Sequence, residues 1–175
     1  MRRAVFLDRD GVINHALVRD GRPYAPTRLE DFAILKGAPE AVQRLKTAGF
    51  LVVIVTNQPD LATGRQTSEL LDMMHAVLRE AMDVDAIYVC PHDDSAHCVC
   101  RKPKSGMLLT AAERFDVDLR QSWMVGDRWR DIEAGRAVGC RTIYIDRGYR
   151  EAVPEADHQV FELFDAVLLI LRDGV

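Results

Sequence analysis

The sequence has no apolar run long enough to cross a bilayer, so it offers no candidate membrane-spanning helix. It also has no excess of positive charge. Its 23 Lys and Arg stand against 27 Asp and Glu, for a net charge of −4 and a pI of about 5.7. Surfaces that bind nucleic acid are usually basic and interleave aromatics with Lys and Arg; aromatics make up only 7% of this chain and form no such pattern. There is no internal repeat, low-complexity tract or interdomain linker, and a single domain over residues 1–175 is expected. The opening "MRRAVFLDRDG" places positive charge before a short apolar run, as a signal peptide does. Asp8 and Asp10 arrive too early for an h-region, so a cytoplasmic protein is expected. Cysteine is scarce as well. Three of the four cysteines, Cys90, Cys98 and Cys100, fall within eleven residues, which in a cytoplasmic chain argues for metal rather than disulfides.

What is present is an alternation of short apolar runs and amphipathic stretches. Residues 4–7, 51–56, 86–89, 122–125 and 142–145 read as strands, with a weaker sixth near 159–161. The runs are continuously apolar, as parallel strands buried on both faces are. In "GAPEAVQRLKTAGF", Pro39 and Gly49 bracket a helix with Ala38, Val42, Leu45 and Ala48 along one face. In "TSELLDMMHAVLREAM", Thr67 is placed to cap a helix whose apolar face carries Leu70, Met74, Val77 and Leu78, both methionines serving as core filler. "GMLLTAAERFDV", "RDIEAGRAVG" and "ELFDAVLLILRDG" supply three more helices. The pattern predicts an α/β fold, a Rossmann-like three-layer sandwich with a doubly wound parallel sheet. Two long irregular stretches, near 14–36 and 90–105, begin at strand ends. Ligands of open α/β sheets bind beyond the carboxyl ends of the strands, so both should border one site.

Acids cluster at those strand ends. Asp8 and Asp10 follow the first strand, Thr56 and Asn57 the second, and Asp127 the fourth, with Asp131 four residues on. Clustered carboxylates repel and want a cation, and oxygen-only ligands of this kind suit Mg²⁺. A metal-bound carboxylate stays ionised and can attack phosphorus, while a second carboxyl can protonate the leaving oxygen and then activate water. A transferring phosphoryl group also needs donors around its oxygens. Thr56, Asn57 and the "CRKPKSG" stretch with Arg101, Lys102 and Lys104 can provide them. In "CPHDDSAHCVC", three thiols and one imidazole match a closed tetrahedral zinc site, with His92 and His97 as competing nitrogen ligands. Such a site would stiffen the loop that carries Arg101 and Lys102. Cys140 reads as a plain buried thiol, and His15, His75 and His158 as surface or packing residues.

Together, "FLDRDGVIN", "VVIVTNQ", "CRKPKSGM" and "MVGDRWRDIEAG" resemble the haloacid dehalogenase (HAD) superfamily. More narrowly they resemble its small branch of D-glycero-D-manno-heptose 1,7-bisphosphate phosphatases and histidinol-phosphate phosphatases. The resemblance covers nearly the whole chain. It implies a Mg²⁺-dependent phosphomonoester hydrolase that works through an aspartyl phosphate on a small phosphorylated sugar. The heptose bisphosphate is the leading substrate; histidinol phosphate or another sugar phosphate is the alternative. By position it makes Asp8 the nucleophile and a Mg²⁺ ligand, and Asp10 the general acid/base with its carbonyl on the metal. Asp127 becomes the third ligand, and Thr56 and Lys102 hold the phosphoryl group. Asn57, Arg101 and Arg128 would touch substrate, and Asp131 would hold metal-bound water or orient Lys102. The family's C-x-H…C-x-C pattern favours Cys90, His92, Cys98 and Cys100 as the Zn²⁺ set, and Lys104 is left on the surface. Only 45 residues separate Asp10 from Thr56, too few for a separate cap domain, so an open site in a monomer is expected. Val12 stands where the branch commonly has Thr, and residues 59–64 depart from its usual loop. A non-catalytic phosphoacceptor module is the rival from another class. Asp10, placed to activate water, argues against it, because hydrolysis would erase the signal.

Overall fold

The computed structural model describes residues 1–152 and 154–173. Six strands form one parallel sheet: β1 (Ala4–Leu7), β4 (Leu51–Asn57), β5 (Ala86–Cys90), β6 (Trp123–Gly126), β7 (Arg141–Ile145) and β8 (His158–Val160). Their order is β5-β4-β1-β6-β7-β8. The chain builds outward from β1 to β4 and β5, then returns to the other side of β1 for β6, β7 and β8. The winding therefore reverses at β1, and the crevice at such a switch point is where α/β sheets bind ligands.

Every residue of β1 is fully buried, because helices cover both faces of the sheet. Alternate side chains feed two cores. Val5, Leu7, Val52 and Ile54 pack with α1 (Ala38–Thr47), α2 (Ser68–Ala81) and α5 (Leu163–Asp173). Ala4, Phe6, Leu51, Val53 and Val55 pack with α3 (Gly106–Phe115) and α4 (Trp129–Ala137). Among the described residues, no helix is long and apolar enough to cross a membrane.

The expected strands agree with the observed ones to within one residue at most ends. Thr67 caps α2, its hydroxyl accepting the Leu70 N–H at 3.2 Å. Three readings of helix faces need correction. Ala48 lies just past the end of α1 and is exposed; Ala41 takes its place in the core. Met74 is buried as expected, but its neighbour Met73 is 49% exposed, since adjacent positions sit about 100° apart on a helix. Val77 is 38% exposed for the same reason, and Leu71 and His75 occupy the buried side instead.

The stretch 14–36 is not wholly irregular. It contains an antiparallel hairpin, β2 (Leu17–Arg19) and β3 (Arg22–Tyr24), turning on Asp20 and Gly21. Both turn residues have positive φ, 51° and 74°. Asp-Gly is the standard signal for such a turn, but strands of three residues with Pro23 in one of them hid it. The other irregular stretch holds only a single 3-10 turn, Asp94–Ala96.

Candidate active site

Asp8 leaves the buried end of β1 with its N–H bonded to the Val125 carbonyl of β6 at 3.0 Å, so the two strands deliver Asp8 and Asp127 to the same crevice. Asp8, Asp127 and Asp131 each offer a carboxylate oxygen, and these oxygens lie within 4.8 Å of one another. One ammonium stands among them. Lys102 is 2% exposed, and its Nζ reaches Asp8 Oδ1 at 2.7 Å, Asp131 Oδ1 at 2.6 Å and the Val55 carbonyl at 2.8 Å. Asp131 also caps α4, accepting the Arg128 N–H at 3.0 Å.

Three buried carboxylates against one cation are electrostatically unbalanced. Burial, followed by repulsion from Asp131, pushes Asp8 up to about 6 despite the pull of Lys102. Burial and the charges of Asp8 and Asp131 push Asp127 well above the carboxylate range. Burial opposes the charge on Lys102, but Asp131 and Asp8 outweigh it and hold the ammonium firmly protonated. Asp127 Oδ2 accepts a hydrogen bond, while Oδ1 is buried without a partner. Hard oxygens, surplus negative charge and an orphaned acceptor together fit a small divalent cation.

Asp10 points its carboxylate to a different set of donors. Oδ1 accepts from Arg9 Nη2 at 2.8 Å and Asn14 Nδ2 at 2.9 Å, and Oδ2 from Gln58 Nε2 at 2.8 Å. Arg9 is fully buried, and its Nη1 donates to His75 Nε2 at 3.3 Å. Burial and the nearby charges of Arg9 and Arg79 hold His75 down to about 4, so its ring is neutral and can accept. Thr56 is fully buried, and its hydroxyl oxygen takes a second bond from Gln58 Nε2 at 2.9 Å. Asn57 clamps the Lys102 backbone from both sides: its Nδ2 donates to the carbonyl at 3.0 Å and its Oδ1 accepts the N–H at 3.1 Å. Asn57 thus holds Lys102 in place and also lines the cleft in which the sequence had suggested it contacts substrate.

Asp8, Asp10, Asn57, Lys102 and Asp131 line a cleft of about 330 Å³. Hairpin residues Arg22 and Tyr24 form one wall and Asp94, Arg101, Arg128 and Arg130 another, so both long loops do border one site. Arg101 and Arg130 share Asp94, at 2.7 and 3.3 Å, and Arg128 pairs with Glu151. A larger depression of about 510 Å³ between the starts of α1 and α5 lies away from the acids and lacks their chemistry.

Gly11 is required by close approach. Its φ is +88°, and a Cβ there would lie 1.8 Å from Asp127 Oδ2. The acids on the two strands can approach only because this position has no side chain.

The cysteine loop closes beside the cleft. Cys90, Cys98 and Cys100 place their sulfurs 3.1–3.7 Å apart, and His92 Nδ1 lies 3.6 Å from Cys90 and 3.3 Å from Cys100. A tetrahedral ion with metal–sulfur bonds of about 2.3 Å has edges of about 3.7 Å, so the spacing fits one. It is too long for disulfide bonds. His92, not His97, joins the sulfurs. Lys104 is exposed, as expected, but its Nζ donates to the His97 and Cys98 carbonyls at 3.2 and 2.6 Å and so fastens this loop. Cys140 is buried and Trp123 stacks on His158, both packing roles.

Arg9, Gln58, Arg130, Tyr149 and Glu151 were not singled out from sequence. Arg9, Gln58 and Arg130 had a signal, since each adjoins a motif residue; Tyr149 and Glu151 had none.

A family model described as HAD-hydrolase-like matches residues 99–167. D-glycero-beta-D-manno-heptose-1,7-bisphosphate 7-phosphatase of Pseudomonas aeruginosa is 41% identical over 152 residues, covering 84% of this chain and 83% of that protein. The enzyme of the same name from Escherichia coli K12 is 36% identical over 89% of this chain and 84% of its own. The crystal structure of D,D-heptose 1,7-bisphosphate phosphatase from B. bronchiseptica, complexed with magnesium and phosphate, superposes with a TM-score of 0.84 at 32% identity. It covers 98% of this chain and 99% of its own.

Proposed function

Because the chain belongs to the D-glycero-D-manno-heptose 1,7-bisphosphate phosphatase family of HAD-like hydrolases, we propose that its cleft removes the 7-phosphate of that sugar bisphosphate. The observation that carries this reading is the convergence of Asp8, Asp127 and Asp131 at the switch point of the sheet, with the buried ammonium of Lys102 paired to Asp8 and Asp131. Five arginines around the same cleft, Arg22, Arg65, Arg101, Arg128 and Arg130, suit a substrate with a second phosphate.

In this reading an Asp8 oxygen attacks phosphorus, and the bond to the sugar oxygen breaks as Asp10 gives that oxygen a proton. Asp10, now a carboxylate, then takes a proton from water, whose oxygen attacks the aspartyl phosphate and releases phosphate from Asp8. Lys102 and the Thr56 hydroxyl donate to the phosphoryl oxygens. Gln58 suits both states of Asp10. Its Nε2 donates to the carboxylate, and a half-turn of the amide presents its buried, unpartnered Oε1 to the acid. Asp8, Asp127 and the Asp10 carbonyl would hold Mg²⁺, which supplies positive charge against the phosphoryl oxygens. Cys90, His92, Cys98 and Cys100 would hold a structural Zn²⁺ with no open position for chemistry.

The test is phosphate release from a panel: both anomers of the heptose bisphosphate, fructose 1,6-bisphosphate and histidinol phosphate, each with and without Mg²⁺. The β-heptose bisphosphate is expected to lead in kcat/KM, with turnover lost on removing Mg²⁺. Equal or better use of histidinol phosphate would overturn the substrate assignment, and metal-independent turnover would overturn the cation.

Lys102→Met should lower kcat by about 10²–10³-fold, the usual cost of losing one preorganised charged donor. Steady-state kinetics at saturating Mg²⁺ checks this; a change confined to KM would remove Lys102 from the transition state.

A further inference from the structure

The segment after β7, residues 146–151, contains none of the motifs that drew attention in the sequence, yet it meets the site at four points. Arg147 Nε donates to the Gly11 carbonyl at 2.8 Å, and the Arg150 N–H donates to the Gly21 carbonyl at the hairpin turn, also at 2.8 Å. Glu151 pairs with Arg128. Between them, the Tyr149 hydroxyl donates to Asp127 Oδ2 at 2.8 Å. A Cβ at Gly11 would meet both Asp127 Oδ2, at 1.8 Å, and Tyr149 Oη, at 2.9 Å, so the hydroxyl is lodged in the gap that Gly11 leaves open.

We propose that Tyr149 is a positioning residue for the divalent-cation site: by donating to Asp127 Oδ2 it fixes the carboxylate and reserves the buried, unpartnered Oδ1 for the metal. The inference rests on the reading of Asp127 as a metal ligand.

A carboxylate just past the end of β6 that faces Asp8 and Asp131 is repelled by both and has a torsion free to turn away. One strong donor on one oxygen removes that freedom before the cation arrives, so less ordering is required on binding. The donor must be neutral, since a second ammonium beside Lys102 would compete with the cation for the same charge. A phenol meets that requirement. An ordinary phenol, with a pKa of about 10, is neutral and keeps its proton to donate at neutral pH. The strap also explains why a tyrosine can reach so far. Its flanking residues, Arg147 and Arg150, are tied to the catalytic loop and to the hairpin, which holds the ring over the acids.

The test is Mg²⁺ binding to the full chain, without substrate, by isothermal titration calorimetry. Tyr149→Phe keeps the ring and loses only the hydroxyl. It is expected to raise the Mg²⁺ Kd roughly 10–100-fold, the usual effect of deleting an outer hydrogen bond to a ligand. The Mg²⁺ concentration for half-maximal phosphate release should rise by the same factor. A wild-type Kd in Tyr149→Phe would overturn the proposal. Loss of the folded thermal transition in the metal-free variant would overturn it too, because that marks a packing role. Asp127→Asn separates the two levels of the argument. If it still binds Mg²⁺ like wild type, the metal-ligand reading itself fails. If it loses Mg²⁺ while Tyr149→Phe does not, only the role of Tyr149 fails.

Discussion

Asp8→Asn is expected to abolish phosphate release, by about 10⁴-fold or more, while the protein stays folded. The amide is nearly the same size and keeps a carbonyl oxygen to accept from Lys102 Nζ, now 2.7 Å from Asp8 Oδ1. It has no anionic oxygen to attack phosphorus. It also relieves the repulsion by Asp131 that, after burial, raises the Asp8 pKa. Loss of one ion-pair partner is thus offset by loss of one like charge, and the change in thermal midpoint should be small. Phosphate release and a thermal melt on the same sample check both halves. Rapid quenching of the wild-type protein with labelled substrate should trap an acyl phosphate on Asp8. A variant that turns over near the wild-type rate would remove Asp8 from the role of nucleophile.

The second large effect concerns the cysteine loop. Elemental analysis of protein purified without chelator should find about one zinc per chain, and Cys100→Ala should lose it. Besides the metal the loop has one 3-10 turn, an exposed Val99 at 75%, and polar ties from Lys104 and Arg101. Closing such a segment costs conformational entropy of about 1–2 kcal/mol per residue, a cost that the metal helps these ties to offset. A structural zinc contributes an apparent 10–16 kcal/mol or so where folding depends on it. Part of that is lost only locally when the loop opens, so a global cost of about 3 kcal/mol, or roughly 6–12 °C in thermal midpoint, is the expectation. The effect on activity should be larger still. The loop delivers Arg101 and Lys102 to the cleft, and the Cys90 carbonyl accepts the Gln58 N–H at 2.8 Å. Displacement at the metal would reach the phosphoryl site through Lys102 and Asp10 through Gln58. Full metal content in Cys100→Ala, or no zinc in the wild type, would refute the assignment.

Much of the site was legible because its elements announce themselves locally. The apolar run 4–7 ending in Asp8 and Asp10 reads as a buried strand with acids at its end, and that is what β1 is. The C-x-H and C-x-C spacings bring four ligand atoms together whatever the rest of the chain does. Periodicity did less well at single positions. It could not separate Met73 from Met74, since a wide apolar face leaves its edges to be decided by the neighbouring element.

The sequence alone determined the alternation of strands and helices, the placing of Asp8, Thr56 and Asp127 at strand ends, and the cysteine cluster, because each depends on residues close in the chain. The tertiary structure alone decided the partners. Arg9 with His75, Gln58 with Asp10, Asn57 with the Lys102 backbone and Tyr149 with Asp127 join positions 22 to 66 residues apart. Such pairs exist only once the winding of the sheet has carried separate strand ends to one crevice, where buried polar groups must find one another or lose the hydrogen bonds that water had given them.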